Sequence, residues 1–317
     1  MKKSLLALLI ASVIPAAAFA DVVVYGKANV AIQNADEAAL DDNRIELVSN
    51  ASRIGLKGGE EINSSLKIIY QFEYQTEVDD GTNGSQTIAQ RNIYLGLQGS
   101  AGTIMGGHFD TPTKVAQEKI DLFNDLEGDI THIFKGENRV SNIVQYTSPS
   151  FGGGFAASVA YVSEENDGTF KQAGTPTNGT SLSFGYTSNV FYAGIAADQD
   201  VEADGVDLVR AVARVTLGAV QLGVLAEQYE NDNTGVDEDG ALVSALWNIT
   251  DKWALKGQYG QSDVRMADGE SASIGLDYKM TKAATLFSYI TSVENELVNV
   301  AGERDDTYIG AGMDFKF

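Results

Sequence analysis

The sequence predicts an all-β protein, a closed 16-stranded antiparallel barrel that crosses a membrane. Three observations lead there: period-two alternation of apolar and polar residues, regular spacing of turn-forming segments, and an exported chain without a membrane-spanning apolar helix. The alternation is clearest in Tyr308 to Phe317, where Ile309, Ala311, Met313, Phe315 and Phe317 share one face. Tyr308, Gly310, Gly312, Asp314 and Lys316 share the other. Leu66 to Glu77 and Ala272 to Met280 repeat the pattern. Successive strand residues point to opposite faces, so this period is a sheet signal.

Met1 to Ala20 opens with Lys2 and Lys3, continues through the apolar stretch Leu5 to Val13, and ends Ala18-Phe19-Ala20. This is the pattern of a cleaved secretory signal, too short in its apolar part to span about 30 Å of hydrocarbon. The expected division is residues 1–20 as signal peptide and 21–317 as barrel. No later segment carries about 18 consecutive apolar residues, so any span must be made by strands.

Short connections are expected at Gly59 to Glu61, Ser100 to Gly102, Ser148 to Gly153, Ser188-Asn189, Leu217 to Ala219, Thr250 to Lys252 and Met280 to Ala283. Longer polar stretches lie between them: Asn34 to Asn43, Val78 to Ser85, Asp110 to Asn138, Glu164 to Asn178, Gln199 to Gly205, Glu230 to Asp239, Ser262 to Gly269 and Glu294 to Asp305. Strict alternation of short and long connections implies sixteen strands and the two unlike ends of an outer-membrane barrel. Trp247, Trp253, Tyr146 and Phe317 fall at strand ends. They suit the aromatic girdle of a membrane interface better than a soluble core.

Composition narrows function. The chain has 317 residues, 22 Lys+Arg against 44 Asp+Glu, a net charge of −22 and no cysteine. An acidic chain is a poor partner for nucleic acid, and without cysteine neither disulfides nor thiolate chemistry are available. His108 and His132 are the only histidines. No G-x-S-x-G nucleophile motif or calcium-loop spacing accompanies them, so neither an enzyme nor a metal or cofactor site is expected. Acidic pairs such as Glu60-Glu61 and Glu164-Glu165 are read as solvated charge.

Val24-Tyr25-Gly26-Lys27, Ser52 to Gly58 (SRIGLKG), Tyr70 to Glu73, Arg91 to Gly99 (RNIYLGLQG), Met105-Gly106-Gly107 and the ending Gly310 to Phe317 resemble the strands of general diffusion porins of Gram-negative outer membranes. The likeness runs the length of the chain. It implies a homotrimer of barrels in the outer membrane, among its lipids and lipopolysaccharide, passing small hydrophilic solutes and ions by passive diffusion. It also implies that the third external loop, Asp110 to Asn138, folds into the lumen. That loop lacks the Pro-Glu-Phe-Gly-Gly-Asp motif of enterobacterial members, yet carries apolar residues (Ile120, Leu122, Phe123, Leu126, Ile130, Ile133, Phe134) able to anchor it.

Matching the motifs residue by residue assigns Lys27, Arg53, Arg91 and Arg139 to a basic wall of the pore constriction, opposed by Asp121, Asp125, Glu127 and Asp129 of the loop. Parity supports Lys27, Arg53 and Arg139. Arg91 shares parity with Ile93, Leu95 and Leu97, so it requires either a bulge or a strand apolar on both faces. Arg210 and Arg214 are further inward candidates. Acidic external segments (Glu77 to Asp80, Asp198 to Asp207, Glu230 to Asp239, Glu303 to Asp306) imply a weak cation preference. Small residues Gly26 and Ala28 suit close subunit approach. A substrate-specific channel is the alternative reading. It is disfavoured by few inward aromatics, Tyr192 being one, and few lysines.

Overall fold

The computed structural model describes residues 22–38, 43–79, 88–164, 178–295 and 304–317. The signal segment lies outside the described residues, as do Asp80 and Glu303. The strands are β1 (Val23–Asp36), β2 (Arg44–Ser49), β3 (Arg53–Asn63), β4 (Leu66–Thr76), β5 (Ile88–Gly99), β6 (Gly102–Asp110), β7 (Arg139–Thr147), β8 (Phe155–Val162) and β9 (Thr180–Thr187). They continue as β10 (Phe191–Gln199), β11 (Val206–Leu217), β12 (Val220–Asn231), β13 (Val236–Asn248), β14 (Trp253–Ser262), β15 (Gly269–Lys279), β16 (Ala284–Glu294) and β17 (Asp305–Lys316). From β3 onward each pairs antiparallel with the next strand in sequence. β1 closes the ring by pairing with β17 on one side and with both β2 and β3 on the other. β2 and β3 are thus two halves of one crossing strand, broken at Asn50 to Ser52, and the barrel has sixteen.

Alternation assigns the two faces. Along β12, Leu222 and Val224 are exposed, while Gly223 between them and Leu225, Glu227 and Tyr229 beyond them are buried. Along β16, Leu286 and Ile290 face out and Phe287, Tyr289 and Val293 face in. The exposed apolar residues form the band that lipid covers, and a charge there would cost about 2–4 kcal/mol at mid-depth. Phe317 does more than end the chain. Its backbone exchanges hydrogen bonds with Gly26, and its ring lies where a Gly26 Cβ would be. The small residue at Gly26 therefore accommodates this chain's own terminus, which corrects its expected use for subunit approach.

Two connections differ from expectation. Gly59, Glu60 and Glu61 are inside β3, paired with Ile69, Ile68 and Lys67. The turn falls instead at Ser64-Ser65, where the Asn63 carboxamide accepts from the Ser65 amide and hydroxyl, an Asx arrangement that closes a tight reversal. Glu230 to Asp239 is no long loop: Asn231 pairs with Val236 and only residues 232–235 turn. Gly235 takes φ +71° and donates its amide to the Asn231 carbonyl. Strands that continue into water need no apolar face, so polarity there did not mark a strand end.

Candidate functional site

Residues 111–138 connect β6 to β7 and lie against the inner wall. Ile120, Phe123, Ile130, Ile133 and Phe134 are at most 1% exposed. They pack on Tyr192, Val212, Leu225, Leu242 and Val293 on one side and, through Phe123, on Phe287 and Tyr289 on the other. Burying such side chains stabilises the docked loop by about 1.5–3 kcal/mol each.

Both feet of the loop are tied to the wall by charge. Thr113 Oγ1 donates to Asp198 at 2.5 Å and Asn138 Nδ2 to the same carboxylate at 3.3 Å. Thr111 caps a short helix, α1 (Pro112–Ala116), by accepting from the Lys114 amide. Near the other foot, fully buried Arg210 pairs with Glu137 at 2.7 Å and Glu227 at 2.6 Å, and donates to the Lys135 carbonyl at 2.5 Å. Arg210 is therefore an anchor and leaves nothing free to face a solute. Arg214 reaches Glu118 at 3.8 Å. Asp198, expected on the external rim, belongs to this footing, and Asp306 is buried against Arg304.

The tip carries the opposed charges. Asp125, at φ +67°, extends its carboxylate to Lys27 at 2.8 Å and Arg53 at 3.2 Å. Burial alone would raise this carboxyl, but the two cations outweigh it and hold it below the usual carboxylate range. Lys27 also lies 3.6 Å from Asp314. Arg91 joins the same side through a bulge: Phe72 pairs with Ile93 but Tyr74 with Gln90, so Arg91 and Asn92 together oppose Glu73. That extra residue reverses the parity of Arg91 and turns it onto Glu73 at 3.0 Å and Gln75 at 2.9 Å.

The remaining assigned residues are placed differently. Arg139 reaches away from the tip, to Asp110 at 2.9 Å and Asn92 at 3.2 Å. Asp121 points into the loop, accepting from the amides of Phe123 and Ile130 and from Gln258. Burial, with Asp129 close by, pushes its carboxyl up to about 8. Asp129 accepts from the amides of Asp125 and Thr131, so it shapes the tip and does not oppose the wall. Glu127 shares the Gln33 amide with Glu46, on an acidic patch separate from the basic wall. Burial pushes Glu127 upward, reinforced by Glu46 and Glu37. Parity reading passed over Lys256, which faces inward between Ala254 and Gln258, 3.4 Å from Asp277 and over the Phe123 ring. Its alternation with Leu255 was the available signal.

A closed barrel with an apolar exterior and a charged interior, narrowed by a loop bound to its own wall, defines an outer-membrane channel. The chain belongs to the Gram-negative porin family, whose profile matches residues 5–297. It is similar to the major outer membrane protein P.IB of Neisseria lactamica, 27% identical over 78% of this chain and 74% of the relative. The P.IB protein of Neisseria meningitidis serogroup B is 25% identical over the full length of both. In fold it matches an anion-selective porin from Comamonas acidovorans, with TM-score 0.78 and 21% identity over 94% of this chain and 100% of that one. Salmonella typhi OmpF, solved with daunomycin, gives 0.75 and 18% over 93% and 97%. The protein is an outer-membrane porin, a channel for passive diffusion of small hydrophilic solutes.

Proposed function

We propose that the neck formed by Asp125 against Lys27, Arg53 and Arg91 is the constriction of this pore, and that the pore weakly prefers cations. The carrying observation is the pairing of charges: Lys27, Arg53, Arg91, Arg139 and Lys256 each have a carboxylate within 4 Å. The basic wall is locally neutralised, and the excess of 44 acidic over 22 basic residues sets the long-range field. Such a field acts over about 8 Å at physiological salt and favours cation entry. At the neck itself, Asp125 contacts Lys27 and Arg53 directly, and the three line one cavity with Lys256 and Asp314, a charged surface for passing polar solutes. The anion selectivity named for the Comamonas protein belongs to that protein, because the fold does not fix the sign.

Liposome swelling with solutes of graded size tests the general-pore reading. Flux that falls with size alone supports it; one solute passing far faster than its size allows replaces it with a specific channel. Arg53→Ser widens the neck and is expected to increase flux of the largest permeant solute.

The reading includes a homotrimer in the lipid and lipopolysaccharide of the outer membrane, after export by the leader 1–20. A trimer form is named for one structural neighbour, Vibrio cholerae OmpT (TM-score 0.67, 15% identity, 93% of this chain and 99% of that one). Ala28, outward on β1 beside Val30, is the test position: Ala28→Trp lowers trimer yield on unheated gels, and an unchanged trimer band contradicts its place in the interface. We also read the chain as non-catalytic. His108 meets Ser141 Oγ at 2.9 Å. His132 is held below the ordinary imidazole range by burial and by Arg304. Esterase or protease turnover by the purified protein contradicts this.

A further inference from the structure

One wall residue makes more contacts with the loop tip than any role in the lumen requires. Gln258, on β14 and 7% exposed, directs its whole carboxamide at the loop. Its Oε1 accepts from the Leu122 amide at 2.8 Å. Its Nε2 donates to Asp121 Oδ1 at 3.1 Å and to the Gly128 carbonyl at 3.1 Å. A single side chain therefore grips the tip at its entry, residues 121–122, and at its exit, residue 128. The span between them holds Asp125.

That span needs holding. Asp125 is a non-glycine residue in the left-handed region, a conformation that costs about 1–2 kcal/mol for an L-residue. Asp129 secures the Asp125 amide at 2.8 Å from within the loop, but this bond is local and does not fix the tip to the barrel. Phe123, wedged against the wall beside Gly128 and Gly275, supplies non-directional packing. Only directional bonds set the azimuth of the turn, and an ion pair at 2.8–3.2 Å loses its geometry if the tip rotates by an ångström or two.

We infer that Gln258 is a positioning residue for ion selection, aiming the Asp125 carboxylate at Lys27 and Arg53 by clamping both ends of the loop tip. This rests on the constriction proposed above. Gln258 touches no solute. Leu and Met are close to Gln in size, so Gln258→Met removes the three hydrogen bonds while keeping the volume, and Gln258→Leu provides a second variant should the first fold poorly.

The test is a double-mutant cycle read by reversal potential in a salt gradient, using the full chain in planar bilayers, with Gln258→Met, Asp125→Asn and both together. Gln258→Met is expected to produce about half or more of the selectivity shift of Asp125→Asn, and to add no further shift in the Asp125→Asn background. A loss of thermal stability, measured in parallel, is expected in both backgrounds, because the bonds to Leu122, Asp121 and Gly128 are lost in each. A Gln258→Met channel with wild-type selectivity, beside an Asp125→Asn channel that has shifted, overturns the clamp and leaves the constriction standing. Equal shifts from Gln258→Met in both backgrounds also overturn it, because Gln258 then acts through something other than Asp125. An Asp125→Asn channel without any shift removes the constriction itself, and the clamp with it.

Discussion

The two halves of the barrel are built to different standards of regularity. From β8 through β17 the ladders run without a register shift, and residues alternate cleanly between lipid and lumen. From β1 through β7 the ladder is interrupted four times, once beside the turn after β3, where the register shifts between Glu61 and Asn63, and three times further into the wall. The break at Asn50 to Ser52 separates β2 from β3, Arg91-Asn92 bulge in β5, and β7 shifts between the partners of Gly107 and Phe109. Arg53, Arg91 and Arg139 lie at or within three residues of these interruptions. A bulge re-aims a side chain and leaves the strand in place. The regular half supplies a stable wall and loop footing, while the irregular half aims charge.

That division predicts different failures. The largest expected effect is in the regular half. Arg210→Met strands buried Glu227 and Glu137 without their cation, a loss of about 3–5 kcal/mol. Urea unfolding in lipid should show a correspondingly lowered midpoint. An unchanged midpoint would mean that the loop footing contributes nothing to the fold. Next comes Val243→Arg, on the lipid face of β13, at about 2–4 kcal/mol by the same assay. A near-silent Val243→Arg would place that face away from lipid. In the irregular half, Ala51 sits at φ +48° in the break between β2 and β3. Ala51→Gly relieves the left-handed backbone and stabilises by about 1 kcal/mol, with ion selectivity unchanged.

A smaller, pH-dependent effect belongs to the loop. Asp121 has its carboxyl raised to about 8 in the folded chain, from an ordinary value of 3.8. The neutral form is favoured by the fold, so its contribution is complete below pH of about 4 and is lost as pH rises through 8. Thermal midpoints should fall across that window, and Asp121→Asn should flatten the fall. A midpoint that rises over the same range has the wrong sign for this assignment.

The same contrast governs what could be read from the sequence. The faces of β15 and β17 follow from period-two patterning, because a ladder without shifts preserves parity from end to end, while strand number follows from the alternation of short and long connections and the loop anchors from their apolar side chains. Arg91 defied parity because one inserted residue inverts every assignment beyond it, and the position of that residue depends on Glu73 across the strand. The loop carboxylates were harder still. Asp121, Asp125 and Asp129 are chemically alike and four residues apart, yet only Asp125 meets the wall while the other two satisfy backbone amides. Which acid does which is decided by tertiary hydrogen bonds, Gln258 among them, that leave no periodic trace. Polar composition also misplaced the Glu230 to Asp239 connection, because it reports exposure to water and not the end of pairing.

The central claim is that Asp125, held by the loop tip against Lys27 and Arg53 of the irregular half, controls ion selection at the neck, on top of the background field of the acidic chain. The most direct measurement is the reversal potential of single Asp125→Asn channels in a low-salt gradient, compared with wild type. Removing one carboxylate from among 44 acidic residues would barely alter a field spread over the whole surface. At the neck proposed above, the carboxylate lies within a Debye length of ions that pass beside it, so the same change is felt directly. The account predicts a clear loss of cation preference at unchanged trimer yield. A wild-type reversal potential in Asp125→Asn would contradict it and return selectivity to the acidic rim.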